Sequence, residues 1–384
     1  MEFSFTTSGR IIFGLGSITS IGEILKYFGN RVFFIHGKSQ PEPEIISNII
    51  KKNKMEWEEF TVFNEPSVEV VDSAVKLARK VGCDCVIGFG GGAVIDTGKA
   101  VAAMVNNPGE VLDYLEIVGK GNPIQNPSKP YIAVPTTAGT GSEVTKNAVI
   151  SVTQKKVKVS MRNTSMIPTI AVIDPELTYS VPPAITASTG MDAFTQVIEP
   201  YVSKLSNRMV DLFCVEGIKT AAKSLSQAYK EGQNAEARSN MSWVSLLGGL
   251  SLANAKLGAV HGFAGPIGGM FHASHGSICA ALLPSVMKIN IKALQEDNQR
   301  RDKLNRYKQI AEWVTGNKNA SAEDGANWVA QLSDEMEIPS LRKIGIKIKD
   351  IPLIIEKSKN ASSMKGNPIQ LSDEELEEIL KLSL

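Results

Sequence analysis

The chain is poor in the residues that mark specialised protein classes. Four cysteines in 384 residues are too few for a disulfide framework, so the fold must rest on an ordinary apolar core. Two of them, Cys83 and Cys85, alternate within VGCDCVIGFG, which reads as a strand entering a glycine turn with both thiols on one face. Core packing explains that pair better than a metal-binding Cys-x-Cys. Neither sign of charge is in excess: 41 Lys+Arg against 40 Asp+Glu give +1. Nucleic acid and anionic membrane are therefore not expected as partners. Uninterrupted apolar runs of about 18 residues are missing, and so is the basic-then-apolar opening of a secretory signal. No spanning helix is expected, and the cytoplasm is the expected location. Histidines number four, which makes their placement informative.

Short β-rich runs alternate with helical periodicity in the first half. Residues 1–20 suggest a strand or hairpin ending at Gly14–Ser17. RVFFI (31–35) reads as a buried strand and 57–63 and 83–89 as two further short strands, with VEVVDSAVKLARKV (68–81) as a helix carrying acids early and bases late. YIAVP (131–135) and IAVI (170–173) add two more strands. Strand, helix, strand at this rhythm predicts an open, mostly parallel nucleotide-binding sheet in an α/β domain over 1–178. After Asp174-Pro175 strand-like runs nearly vanish. Helices are expected over 188–201, 208–229, 235–255, 289–314 and 319–336, giving an all-α domain over 179–384. The charged end, 373–381, reads as the solvated face of a last helix.

Three constellations carry chemistry before the histidines are considered. Gly90-Gly91-Gly92-Ala93-Val94-Ile95-Asp96-Thr97-Gly98-Lys99 follows a strand and opens a helix. Glycines there let a backbone approach a bulky anion, and the helix N-terminus aims free N–H groups at it. A tight strand-to-helix turn would use the same glycines. Pro135-Thr136-Thr137-Ala138-Gly139-Thr140-Gly141-Ser142-Glu143 also follows a strand and offers hydroxyls suited to phosphate, ribose or a base edge, or to a helix cap. Two such loops at the carboxyl edge of one sheet describe a dinucleotide cleft better than either alone. Gly190-Met191-Asp192-Ala193-Phe194-Thr195-Gln196 places Asp192 and Gln196 one turn apart on one helix face.

The histidines fall in VHGFAGPIGGMFHASHGSICAALLP (260–284), which holds His261, His272 and His275 among glycines and apolar residues. His261 and His275 are fourteen apart, a separation that a helix, a break and a second helix can fold onto one point. Neutral imidazole suits first-row metals, and hydrogen-bonded core histidines suit the same segment. Asp192 with the two histidines makes a reasonable donor set for Fe(II) or Zn(II), with Gln196 a weaker fourth ligand or an outer hydrogen-bonder.

With these motifs in hand, the chain resembles the iron-containing (group III) alcohol dehydrogenase family of the dehydroquinate synthase-like fold, over nearly its full length. FGGGAVIDTGK, PTTAGTGSE, GMDAFTQVIE and the histidine stretch stand in the family's order and spacing. The resemblance implies a dinucleotide-binding domain, a helical domain and a metal and substrate site between them. Gly91, Gly92 and Ala93 would hold the pyrophosphate, with Asp96 and Lys99 at the motif's fixed polar positions. Thr136, Thr137 and Thr140 would line the adenosine and nicotinamide side, with Lys158 near the ribose. Asp192, His261 and His275 match metal-ligand positions.

Three departures bear on mechanism. Gln196 stands where the family has a histidine, and an amide is the poorer transition-metal donor. Gly265 stands where many members have a histidine, which removes a proton relay and leaves His272 as the candidate to replace it. Gly37, Lys38 and Ser39 stand where NAD-preferring members place an aspartate for the ribose 2′-hydroxyl, a pattern that favours the 2′-phosphate of NADP over NAD. The expected activity is metal-assisted hydride transfer between a small alcohol and its aldehyde or ketone. A metal-independent reductase resembling the maleylacetate reductases, or a cofactor-binding protein with an eroded site, stays open on Gln196. The resemblance also implies a homodimer joined through an N-terminal strand, within 3–13 here.

Overall fold

The computed structural model describes residues 2–38, 42–271 and 273–384. Ser39 and His272, both named above as candidates, lie outside the described residues. The chain divides into two compact units. One comprises Thr6–Thr137 and Gly141–Val181; the other comprises Pro182–Leu384 with the segment ending at Phe5 and the three residues Ala138–Thr140.

The first unit contains β1 (Arg10–Phe13), α1 (Ile21–Leu25), β2 (Arg31–Gly37), α2 (Glu44–Lys52), β3 (Glu56–Val62), α3 (Val68–Val81), β4 (Cys85–Gly90), α4 (Gly92–Met104), α5 (Val111–Tyr114), β5 (Tyr131–Pro135), β6 (Asn147–Val152), β7 (Val157–Arg162) and β8 (Ile170–Ile173). Six strands form one sheet in the order β1-β8-β5-β4-β2-β3, and every neighbouring pair is parallel. β2 and β4 are neighbours although the chain visits β3 between them, so the strand order reverses there. Open parallel sheets bind ligands at the carboxyl ends flanking such a reversal.

Both faces of the sheet are covered, as continuous apolar strands require. Phe33, Ile35, Val86, Tyr131 and Ala133 pack with α3 and α4 on one face. Val32, Phe34, Ile87, Phe89, Ile132 and Val134 pack with α1 and α2 on the other. α3 shows why its sequence folds as it does. Ser67 caps it by accepting from the Val70 N–H, Val71, Ala74, Val75 and Ala78 form its buried stripe, and Gly82 ends it in the left-handed conformation at φ 62°.

Of the strand or hairpin expected over 1–20, a strand is found: β1, which pairs in parallel with β8. One expectation for this unit changes. Cys83 and Cys85 do not share a face: Cys83 packs on the α3/α4 side and Cys85 on the α1/α2 side. Strand alternation begins only at Cys85, since Cys83 still belongs to the helix-to-strand turn, its N–H bonded to Ala78 O. The antiparallel pair β6–β7 was not expected from the sequence.

The second unit is helical: α6 (Pro183–Val202), α7 (Arg208–Lys230), α8 (Ala235–Asn254), α9 (Ala259–Phe271), α10 (His275–Glu296), α11 (Arg301–Thr315), α12 (Ala322–Glu335), α13 (Ile351–Ser358) and α14 (Asp373–Leu382). A single helix was expected over 289–314. Instead the chain breaks at Asp297, whose carboxylate accepts from the Gln299 N–H and starts a new turn. By length and composition α10 could cross a membrane, but 72% of its apolar window is buried inside this unit, where it packs as a core helix.

Candidate metal centre and nucleotide pocket

At the carboxyl ends of β2, β3 and β4 a pocket of about 400 Å³ is lined by Gly37, Lys38, Phe63, Gly91, Ala93 and Thr136, among others. It sits at the strand-order reversal, where the topology predicts a ligand. Gly91 is the N-cap of α4, and a β-carbon on it would stand 3.3 Å from Thr137 Oγ1. Gly90 is glycine for packing, since a β-carbon there would lie 2.5 Å from Val94 Cγ2. Gly92 opens α4 behind them. Lys38 is exposed, with Nζ 5.8 Å over the Phe63 ring.

The other residues expected near the cofactor divide differently. Lys99 is fully buried, and Nζ donates to Ser142 O at 2.9 Å, to Thr145 Oγ1 at 3.0 Å and to Asn147 O. Asp96 lies 3.0 Å from that ammonium and accepts from Ser142 Oγ and from the Val149 N–H. These two residues therefore pin β6 and the turn before it to α4, and Lys99 is a scaffold residue instead of a ligand contact. The Lys158 ammonium pairs with Glu65. Thr136 stays with the pocket, its N–H donating to Gly90 O. Thr140 belongs to the helical unit.

In the helical unit, α6 presents Asp192, Gln196 and Glu199 at positions i, i+4 and i+7 of one face, all buried. α9 supplies His261. α10 begins at His275, after Ser274 caps it by accepting from the Ser277 N–H, and Cys279 follows one turn on. Asp192, His261, His275 and Cys279 offer ligand atoms that all lie within 4.8 Å of one another. Nε2 of His261 is 3.2 Å and Nε2 of His275 is 3.9 Å from Asp192 Oδ1. Cys279 Sγ is 3.8 Å from His261 Nε2 and 3.6 Å from His275 Nε2. Gly276 permits this convergence, because a β-carbon there would lie 2.5 Å from Ser188 O of α6.

The donor set fits a divalent metal. Ligands at ordinary zinc distances in a tetrahedron are separated by about 3.3–3.6 Å, close to the spacings found. Asp192 Oδ1 is buried and accepts no well-directed hydrogen bond despite its nearness to His261, an orphan that a cation would satisfy. Glu199 completes the arrangement. Its Oε2 accepts from His261 Nδ1 at 2.7 Å, which leaves Nε2 as the free donor atom, and its Oε1 accepts from the Val260 N–H at 2.7 Å. Gly258 makes room, since a β-carbon there would stand 2.8 Å from that Oε1.

Electrostatics agree with the geometry. Burial favours a neutral Asp192, but His275, His261 and Cys279 together hold its carboxyl below the usual range. Burial likewise opposes charge on His261, yet Cys279, Asp192 and Glu199 raise it well above an ordinary imidazole. His275 is raised to about 8 because Cys279 and Asp192 outweigh its desolvation. Gln196 donates from Nε2 to Gly139 O at 3.1 Å, leaving Oε1 buried without a donor. Glu199 and Cys279 escaped the sequence reading. The signal was present: Glu199 lies two turns after Asp192, and Cys279 lies one turn after His275.

Comparison with known proteins fixes the family. The pattern of "Iron-containing alcohol dehydrogenase" matches residues 8–175, and that of "Fe-containing alcohol dehydrogenase family, C-terminal" matches 186–384. Alcohol dehydrogenase 4 of Saccharomyces cerevisiae is 34% identical over 82% of this chain and 80% of its own. The 1,3-propanediol dehydrogenase of Citrobacter freundii is 32% identical over 99% of this chain and 98% of its own. A solved 1,3-propanediol oxidoreductase superposes with a TM-score of 0.91 at 30% identity, covering 100% of both chains. This chain belongs to the iron-containing alcohol dehydrogenase family, and alcohol–aldehyde oxidoreduction is its chemistry.

Proposed function

We propose that the protein is an NADP(H)-preferring dehydrogenase of small alcohols that works with a divalent metal held by Asp192, His261 and His275. The observation that carries the reading is the convergence of these donors with a buried, orphaned Asp192 oxygen. When bound, the metal would supply Lewis acidity toward the alcohol or carbonyl oxygen. The nicotinamide would carry the hydride. The protein's own share is positioning: Glu199 holds the His261 ring in one tautomer, and the pocket at Gly37–Lys38 and Gly91 receives the nucleotide phosphates. His272 remains a candidate proton carrier in this reading. The chain is further proposed to act in the cytoplasm as a homodimer. β1 ends the sheet with one edge unpaired among the described residues, which suits strand addition.

The test is chelation and reconstitution. NADPH oxidation on short aldehydes is expected to disappear with the metal and to return on adding Fe(II) or Zn(II). Undiminished turnover by metal-free protein would favour the metal-independent reductase reading that Gln196 keeps in view. Turnover absent under every metal would favour a binding protein.

Lys38 tests the cofactor preference. It stands at the pocket mouth where a 2′-phosphate would be met, and no carboxylate accompanies it at Gly37. Lys38→Glu is expected to lower kcat/KM for NADPH about tenfold relative to NADH, the scale of one exposed charge pair reversed. An unchanged ratio of the two efficiencies would remove Lys38 from the argument.

A further inference from the structure

We infer that Cys279 is itself a metal ligand, a thiolate that supplies the strong donor missing at Gln196. The inference rests on the metal reading above and adds to it the identity of a fourth ligand. A buried cysteine on a core helix is ordinarily an apolar filler. Cys279 is different in what its sulfur touches. Two imidazole nitrogens stand 3.6 and 3.8 Å away, and a carboxylate oxygen lies within the same 4.8 Å cluster. An N–S edge of a zinc-like tetrahedron is about 3.6 Å, from bond lengths of about 2.05 and 2.3 Å.

The neighbouring amide is partly committed elsewhere. Gln196 Nε2 is held by Gly139 O, so only its Oε1 could face a cation, and that is a weak neutral donor. The Sγ donor, by contrast, is placed by the same helix turn that places His275. His275 and Cys279 are i and i+4 on α10, and Gly276 sets that turn hard against α6. Any force that seats His275 also seats Cys279.

The chemical consequence is a change in selectivity. Binding would release the thiol proton to solvent and form one metal–sulfur bond. A set of one thiolate, two imidazoles and one carboxylate is softer than one with imidazole or amide in its place. It therefore shifts preference toward Zn(II) and Co(II) and away from Fe(II).

The experiment uses metal-stripped full-length protein titrated anaerobically with Co(II) and followed by electronic absorption. The wild type is expected to bind about one Co(II) per chain and to develop an intense near-ultraviolet thiolate-to-cobalt charge-transfer band. Cys279→Ala and the near-isosteric Cys279→Ser, each checked for native circular dichroism, should still bind Co(II) but without that band. Their affinity should fall by more than the roughly 10–100-fold that loss of an outer partner costs. Gln196→Ala should keep the band. Cobalt bound by the wild type with only weak d–d bands would overturn the inference and leave the metal reading standing, and so would a band that survives in both Cys279 variants. No cobalt binding by folded wild type would overturn both.

Discussion

Asp192→Asn is expected to cut kcat/KM by about a thousandfold or more, ~4 kcal/mol of transition-state stabilisation. The substitution keeps the side-chain shape and removes the one carboxylate among the converging donors, so loss of metal should accompany loss of rate. The fold should survive, because the Asp192 oxygen that changes has no well-directed hydrogen bond to lose. Steady-state kinetics beside metal content of the purified variant make the check, and wild-type turnover by a metal-free Asp192→Asn protein would end the Lewis-acid reading. The metal-free protein offers a second readout. His275 is raised from 6.5 to about 8 in part by Asp192. Its protonated form therefore favours the folded state below about pH 6.5, and that contribution is lost as pH rises through 8. In Asp192→Asn one of the two raising partners is lost while Cys279 stays, so the His275 proton resonances should titrate at lower pH than in the wild type.

Glu199→Gln is expected to weaken metal binding about 10–100-fold and to lower kcat with it, while the protein stays folded. Both carboxylate oxygens of Glu199 accept hydrogen bonds, one from His261 Nδ1 and one from the Val260 N–H. An amide can accept at one of these places only, and its NH2 then confronts a donor at the other. The ring must turn, change tautomer or lose its anchor, and each outcome moves Nε2 away from the shared point. Glu199→Ala should also lose stability, by about 1–3 kcal/mol for each buried donor left unpaired. Isothermal titration with Zn(II) and thermal unfolding separate the two effects. Unchanged Zn(II) affinity in Glu199→Gln would show that His261 is held by packing alone.

The sequence carried most of the fold because its signals are local. Apolar runs bounded by turns located five of the six sheet strands within two or three residues, and helical periodicity located most of the second unit. The misses have separate causes. Asp297 breaks the helix expected over 289–314 by capping a new turn, and one aspartate in a charged helical run does not stand out in sequence. The two cysteines expected on one face fell on opposite faces because the first still belongs to the turn after Gly82. The pair β6–β7 does carry the period-2 pattern: VKVSMR alternates apolar and polar, and Ala148, Ile150 and Val152 are the buried residues of NAVISV, so here a local signal went unread.

By itself the sequence determined which chemistries are present: a glycine-opened helix after a parallel strand, and an aspartate and two histidines in apolar surroundings. These follow from residue type and spacing, which act within a turn or a strand. Only the tertiary structure decided which groups share a point. It placed Lys99 and Asp96 in the scaffold, where their charges are satisfied by Ser142, Thr145 and Val149. It brought Glu199 and Cys279 to the histidines, from positions 62 and 18 residues away along the chain from His261. Helix packing sets such distances, through contacts as specific as Gly276 against Ser188, and packing depends on residues far apart in sequence.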